Sequence, residues 1–252
     1  MTIQDGKLKL TLEGKEISSI DFNGTEVLNT TKKWSKKFPV LFPAIGPNKS
    51  YVINDVNYSV PRHGFWKELD FGIEKKKNEI RLVKEVQARK DYPFIFLAEQ
   101  KIKVQKKLTK GIETHKVVVS TSFEAKKTFP MQFGYHPAFN YDSGEIEMQG
   151  ETITLNKDGS SSKGFQIVRN IKDMDWENVD TFIIKTKEAI LHNKKYSLKV
   201  KTNMKYLALW TNGDKYICIE PYSNIPALIK PNDNIKMDGK PLKISLEFFN
   251  KK

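Results

Sequence analysis

The stretch PLKISLEFF, residues 241–249, indicates the fold of this chain most clearly. Its apolar residues occupy every second position: Leu242, Ile244, Leu246 and Phe248. Successive side chains of a β-strand point to opposite faces, so a period of two predicts a strand with one buried face. The same pattern occurs near the amino terminus in KLKLTLEGKEI, residues 7–17, through Leu8, Leu10 and Leu12. Both ends of the chain are therefore predicted to be β-strands.

Between these ends, short apolar patterns recur and are separated by turns. An Asn23-Gly24 pair in IDFNGTEVL is suited to a type I′ hairpin turn. Further strands are predicted around Ile80 and Leu82, from Phe94 to Val104, from Val117 to Phe123, and at 145–150, 151–156, 181–185, 196–202, 206–212 and 215–221. Residues 38–60 are expected to form a structured loop with a short hairpin, and residues 157–176 a surface loop. Many short strands without a helical period predict an all-β sandwich or barrel.

The length and composition of the chain limit its organisation. Its 252 residues can bury a sizeable core, and no repeat, low-complexity tract or linker divides them, so one domain over residues 1–252 is expected. No apolar run approaches the roughly 20 residues that span a bilayer, and the amino terminus lacks a secretory apolar core. A single cysteine, Cys218, agrees with a reducing compartment. We expect a cytoplasmic monomer or homodimer without membrane contact.

A net charge of +13 is typical of proteins that bind nucleic acid. However, only four of the 43 basic residues are arginine, the side chain suited to bidentate recognition of bases and phosphates. The lysines occur in small scattered groups rather than in one stretch. We therefore interpret the charge as a solvated lysine-rich surface and expect no nucleic-acid partner.

Three ionisable residues stand in apolar settings. His136 lies in FGYHPAFN, residues 133–140, where Pro137 restricts it to extended backbone, so its ring is either presented to a ligand or held in the core. His63 lies in PRHGF, residues 61–65. Glu220 lies in KYICIEPY and shares a strand face with Cys218, so it is either a base with a raised pKa or the partner of a lysine.

The remaining histidines and the cysteine carry weaker signals. His115 and His192 stand beside lysines and are expected to be exposed, and Cys218 is expected to be a small buried apolar residue. His63, His136 and Glu220 are residue types that bind metals, but the two histidines lie far apart without a local ligand spacing. No metal site is predicted.

The chain contains, in order, the stretches FPVLFPAIG, SVPRHGF, YPFIF, FGYHPAFN and ICIEPY. In this order and spacing they resemble the aldose 1-epimerase (galactose mutarotase-like) family, particularly its shorter bacterial, LacX-like branch. The resemblance extends from the first hairpin to the last strand. It implies a single-domain antiparallel β-supersandwich with a sugar-binding cleft, and a cofactor-free interconversion of the α and β anomers of an aldohexose.

The resemblance also implies roles for individual residues. Glu220 matches the general base that takes the proton of the C1 hydroxyl, and His136 the general acid that protonates the ring oxygen. His63 matches a histidine that orients the sugar. Asp180 either binds sugar hydroxyls or caps a turn. A carboxylate and an imidazole can exchange protons near neutral pH, so these residue types fit the reaction.

One position departs from the family pattern. Many relatives carry an arginine after the segment that ends at Gly46, whereas this chain has Pro47, Asn48 and Lys49. Lys49 is the candidate replacement, although an ammonium lacks the planar fork of an arginine. The substrate alternatives therefore remain a free aldohexose, its 6-phosphate, or a sugar that an inactive protein only binds.

Overall fold

The computed structural model describes residues 1–29, 37–47, 49–53, 56–109, 112–213, 215–226 and 240–250. Up to residue 124 its strands are β1 (Thr2–Asp5), β2 (Leu8–Glu13), β3 (Glu16–Phe22), β4 (Thr25–Glu26), β5 (Val40–Leu41), β6 (Lys49–Ile53), β7 (Val56–Val60), β8 (Gly72–Lys75), β9 (Glu79–Val86), β10 (Phe96–Thr109) and β11 (Ile112–Glu124). The later strands are β12 (Gly134–Tyr135), β13 (Ala138–Asn140), β14 (Glu145–Asn156), β15 (Ser161–Asn170), β16 (Val179–Ile184), β17 (Glu188–His192), β18 (Tyr196–Thr202), β19 (Tyr206–Trp210), β20 (Tyr216–Tyr222) and β21 (Leu242–Asn250). The helices of the described residues are two single 3-10 turns, Trp66–Glu68 and Ile171–Asp173.

These strands form one large sheet and two small ones. The large sheet runs β5-β12-β20-β19-β16-β14-β17-β18-β21-β11-β10-β9-β8, with β13 also on β20 and β15 also on β14. The small sheets are β1-β2-β3-β4 and β6-β7. Neighbouring strands of the large sheet pair antiparallel, as β11 does with β21 and β19 with β20. The predicted all-β antiparallel class is confirmed.

The core lies between the four-stranded sheet and the large sheet. On β21, Ile244, Leu246 and Phe248 are fully buried, and on β2 the three alternating leucines are buried as well. Phe22 of β3 stacks on Phe248 with ring centroids 5.0 Å apart, which joins the two sheets. Burial of such side chains stabilises a fold by roughly 1.5–3 kcal/mol each, so the predicted alternation identifies a main source of stability.

The hairpin predicted at Asn23-Gly24 joins β3 to β4. Phe22 pairs with Thr25, and the two turn residues have φ angles of 53° and 77°. Both residues of a type I′ turn need positive φ, which asparagine and glycine adopt more readily than other residues. The sequence prediction is confirmed here in register as well as in position.

The prediction of a surface loop at residues 157–176 is wrong. β15 and the second 3-10 turn occupy most of it, and β15 pairs along β14, whose two predicted segments form one continuous strand. Most side chains of β15 are exposed, so its sequence has no apolar alternation that would have indicated a strand. The five-residue strand β17 was also not predicted. Within the described residues, no helix has the length and apolar character needed to cross a membrane.

Candidate active site

Glu220 lies on β20, a central strand whose seven residues are all buried. Its pairing partner on the neighbouring strand β19 is Ala208, whose small side chain leaves room for the carboxylate. Cys218 and Tyr222 precede and follow Glu220 on the same face, because residues two apart on a strand point the same way. The Tyr222 hydroxyl donates a hydrogen bond of 2.8 Å to Glu220 Oε2. The carboxylate is therefore held at a defined place inside the sheet.

His136 occupies the gap between β12 and β13, on the other side of β20. Gly134 pairs with Tyr222 and Ala138 pairs with Cys218, so the residue midway between them stands opposite Glu220. The His136 backbone N–H donates to Pro39 O at 2.9 Å, which fixes this short segment. Its imidazole Nδ1 lies 3.3 Å from Glu220 Oε2. Antiparallel pairing thus brings an imidazole and a carboxylate from distant parts of the sequence together.

The electrostatics of Glu220 are set by its burial. Only 1% of the residue is exposed, and the loss of hydration raises the pKa of Glu220 to about 8. The Tyr222 hydrogen bond opposes this rise in pKa, whereas the negative charge of Asp180 adds to it. A carboxyl group with such a pKa can both give and take a proton near neutral pH, which is the requirement for general acid–base work.

His63 stands in a turn that is attached to residues 42–46. Its φ of 61° is left-handed, its N–H donates to Gly46 O at 3.0 Å, and its ring Nδ1 accepts from the Gly46 N–H at 3.2 Å. The other ring nitrogen, Nε2, faces a second donor, Arg62 Nε–H, at 3.3 Å; a neutral imidazole has one acceptor nitrogen, so only one of the two contacts can be a full hydrogen bond at a time. The ring centroids of His63 and His136 are 5.6 Å apart, which puts both imidazoles at one site.

Asp180 is an exposed residue of β16, two strands away from Glu220. Its Oδ2 accepts from the Thr181 hydroxyl at 2.8 Å, and its Oδ1 accepts from Trp210 Nε1 at 3.3 Å. Neither contact is the turn cap that the sequence left open as the alternative. Trp210, which was not predicted as a site residue, lies 6.1 Å from His136 between ring centroids. A tryptophan at the end of a strand gives no functional signal without this contact.

A cavity of about 260 Å³ adjoins both histidines. Its wall includes Arg62, Lys67 and Lys15 beside apolar groups such as Trp66. Arg62 Nε–H donates to His63 Nε2 at 3.3 Å, so the guanidinium lies against that imidazole. The volume is close to the lower limit of ordinary ligand pockets, which suits a small molecule.

The other candidate residues have different outcomes. Lys49 begins β6, but its side chain lies outside the described residues, so its substrate-binding role stays a prediction. Among described side chains, the charged partner of Glu220 is His136 and not a lysine. The expectation that His115 is exposed is wrong, because it is buried with Nε2 2.7 Å from Glu113 Oε1. His192 is half-buried, and Cys218 is fully buried as expected.

Solved structures with the same fold include two from lactobacilli. A galactose mutarotase related enzyme from Lactobacillus acidophilus is 21% identical with a TM-score of 0.73, covering 100% of this chain and 97% of its own. A galactose mutarotase-like protein from Lactobacillus casei ATCC 334 is 19% identical with a TM-score of 0.72, covering 100% and 99%. A protein from Synechocystis sp. PCC 6803 is 16% identical with a TM-score of 0.75, covering 100% and 95%. The predicted galactose mutarotase-like supersandwich is therefore confirmed.

The sequence itself matches the model of the aldose 1-epimerase family over residues 1–236. No curated protein matches the chain. Because the family model covers most of its length, the chain belongs to the aldose 1-epimerase family, whose activity is that of an isomerase.

Proposed function

We propose that the protein is a mutarotase that interconverts the α and β anomers of an aldohexose. The observation that carries the proposal is the buried pair of Glu220 and His136, whose Oε2 and Nδ1 atoms are 3.3 Å apart. Ring opening needs a base and an acid that act on two oxygens of the same carbon. The two groups must therefore lie within a few ångströms of each other, as this pair does.

Near neutral pH the raised pKa of Glu220 keeps one proton on the pair, and the proposed reaction starts from the form in which this proton lies on His136 and Glu220 is the carboxylate. Glu220 removes the proton of the C1 hydroxyl while His136 gives its proton to the ring oxygen. The bond between C1 and the ring oxygen breaks, and the open-chain aldehyde forms. Rotation about C1–C2 presents the other face of the aldehyde. The two proton transfers then run in reverse, which closes the ring and returns both groups to their starting state.

The neighbouring side chains supply the contacts that a sugar requires. His63 and the adjoining Arg62 face the substrate and contact its oxygens, and the Asp180 carboxylate accepts from sugar hydroxyls. Trp210, held by its hydrogen bond to Asp180, offers an aromatic face for the apolar side of the sugar ring. We also propose that residues 1–252 act as one domain, since a single buried cluster contains residues from Ile3 to Phe248.

Polarimetry tests the proposed function. Pure α-glucose and pure α-galactose are dissolved with and without the protein, and the optical rotation is followed to equilibrium. At least one of the two sugars is expected to equilibrate faster with the protein than in buffer. A His192→Asn variant, changed outside the site, serves as the matched control and should keep this acceleration. Equal rates with and without the wild type, for both sugars, would exclude the mutarotase activity.

Replacement of Asp180 by asparagine is expected to raise KM about tenfold while changing kcat only a few-fold. A hydrogen bond to a charged group contributes roughly 1.5–3 kcal/mol, and the asparagine side chain keeps the acceptor oxygen but loses the charge. Initial rates at several sugar concentrations separate the two constants. A fall in kcat with an unchanged KM would assign Asp180 to the chemical step instead of to binding.

A second candidate substrate, a hexose 6-phosphate, is favoured by the cavity beside the histidines. Arg62 and Lys67 are exposed cations on its wall, and arginine is well suited to binding phosphate. A hexose 6-phosphate differs from the free aldohexose only in the phosphate group at its 6-position. Both use the same Glu220 and His136.

Paired measurements with glucose and glucose 6-phosphate distinguish the two substrates. If the phosphate ester is the substrate, Arg62→Gln should lower its kcat/KM by about 10- to 100-fold, because a charge-assisted contact is lost. The same variant should change kcat/KM for glucose less than about threefold. A wild type that prefers glucose, together with an Arg62→Gln variant that loses nothing on either sugar, would reject the phosphorylated substrate.

A further inference from the structure

We propose that His136, Cys218 and Glu220 form a binding site for one thiophilic divalent cation, such as Zn²⁺ or Cd²⁺. The ion would be a ligand that competes for the candidate active site and not a resident part of the reaction. On residue type, the sequence indicates His63 as the third residue that could bind a metal beside His136 and Glu220. In the structure, the third donor atom beside these two residues belongs to Cys218.

The three donor atoms are close enough to share one ion. They all lie within 4.8 Å of one another. A point equidistant from three atoms at that maximal separation is about 2.8 Å from each, whereas zinc bonds are about 2.0–2.3 Å long. Each side chain must therefore move by about half an ångström, which a small change of side-chain torsion provides.

The strand register explains why these side chains converge. Cys218 and Glu220 are two residues apart on β20 and share a face. Ala138 pairs with Cys218, so the preceding segment places His136 on the same side of the sheet. All three residues are buried, which excludes bulk water from most of the coordination sphere. A tetrahedral zinc ion held by three protein ligands takes water as its fourth ligand.

The donor set determines the class of cation. One sulfur, one imidazole nitrogen and one carboxylate oxygen match three-ligand zinc sites, while Mg²⁺ and Ca²⁺ prefer oxygen donors alone. When the bond between Sγ and the metal forms, the Cys218 thiol loses its proton to solvent. Selectivity for Zn²⁺ and Cd²⁺ over Mg²⁺ follows from this chemistry.

Occupancy by the ion has a consequence for the proposed reaction. Both His136 and Glu220 would be coordinated, so neither could exchange a proton with a sugar. The cation is therefore expected to slow anomerisation, and a chelator to restore it. Binding of the ion itself does not depend on which sugar, if any, the protein converts, so the two proposals can fail separately.

The test uses the full-length protein after treatment with a chelator. Calorimetric titration with ZnCl₂ is expected to show one tight site, with no binding of MgCl₂ under the same conditions. Titration with CoCl₂ is expected to produce the ultraviolet charge-transfer absorption of a cobalt–thiolate bond. Because the chain has a single cysteine, this absorption can arise only from Cys218.

Two variants complete the test. Cys218→Ser should abolish the cobalt–thiolate absorption and weaken zinc binding at least about 100-fold, as expected for a lost ligand. His192→Asn is the matched control, because His192 also contacts a carboxylate, with Nε2 2.7 Å from Glu147 Oε1, and it should change neither signal. Absence of the thiolate absorption in the wild type would overturn the proposal, whether or not the serine variant folds. So would equal zinc affinity in the wild type and a folded Cys218→Ser variant.

Discussion

The Glu220→Gln variant is expected to lose at least about 100-fold in kcat/KM for sugar anomerisation and, at the same time, to melt at a higher temperature than the wild type. The loss of rate follows from the loss of the proposed base, since general acid–base groups contribute typically 10²- to 10⁴-fold. Glutamine keeps the size of the side chain and an oxygen that can accept from Tyr222. The change therefore removes the proton transfer without opening a cavity.

The gain in stability follows from the cost of burying a carboxyl group. The pKa of Glu220 is about 8 in the folded chain and 4.5 for an ordinary glutamate, so the folded state holds a proton that the unfolded state releases. Wild-type stability therefore falls as the pH rises from about 4.5 to about 8 and then levels off. At neutral pH the cost is on the order of 3 kcal/mol, since one pKa unit corresponds to about 1.4 kcal/mol.

Thermal melts of both proteins at pH 5 and pH 8 test this expectation. The variant should gain several degrees over the wild type at pH 8, and little at pH 5, where most of the cost is absent. His136→Asn is a useful comparison, because it keeps the buried Glu220 carboxyl group and should therefore lose activity while keeping the fall in stability between pH 5 and pH 8. A Glu220→Gln protein that is as active as the wild type would contradict the proposed base. A melting temperature lower at pH 8 than that of the wild type would contradict the cost of burial.

Gly64→Ala is expected to destabilise the protein by more than about 4 kcal/mol, which places it among the most damaging single changes. Gly64 has a φ of 72°, and a Cβ built on it would lie 1.9 Å from Phe42 O. That carbonyl accepts from the Phe65 N–H at 2.9 Å, so it belongs to the backbone contact that holds the His63 turn. The main chain would have to separate there, and the turn would move His63 away from His136.

Gly14→Ala provides the matched control for this prediction. Gly14 also has a left-handed φ, 58°, but a Cβ on it would meet no atom within 4 Å. The Gly14→Ala change should therefore lower the free energy of unfolding by only roughly 1–2 kcal/mol, the cost of a left-handed backbone for a residue with a Cβ. Urea unfolding of the two variants separates the conformational cost, present in both, from the steric clash, present only at Gly64. Equal destabilisation of the two variants would show that the contact with Phe42 is unimportant.

The features that the sequence predicts correctly are those determined by residues adjacent in the sequence. The alternation in β2 and β21 and the Asn23-Gly24 turn depend on local periodicity and on two φ angles, which the amino acids themselves limit. β15 was missed because it is stabilised by pairing with β14 and not by an apolar face. His115 was misjudged for a related reason. Its neighbours in sequence are polar, but the ring packs against Phe22 of another sheet.

The candidate site was only partly predictable for the same physical reason. His63, His136 and Glu220 stand in apolar stretches that mark them individually, whereas their mutual distances depend on the order of strands in the large sheet. Trp210 and Arg62 carry no mark of their own and are recognised only by what they contact. In many relatives an arginine follows the position of Gly46, and this chain has none there. The structure brings a guanidinium to the site from the turn that contains His63 instead.

The pairing of Gly134 with Tyr222 and of Ala138 with Cys218 restricts how this site can change during evolution. The register of paired strands can change only by whole residues. A change of one residue would turn the His136 side chain to the opposite face of the sheet. The spacing between imidazole and carboxylate therefore cannot drift by small steps. New substrate preferences can instead arise in the cavity wall, which includes residues 39–41, 62–64, 66 and 67, while the proton-transfer pair stays fixed.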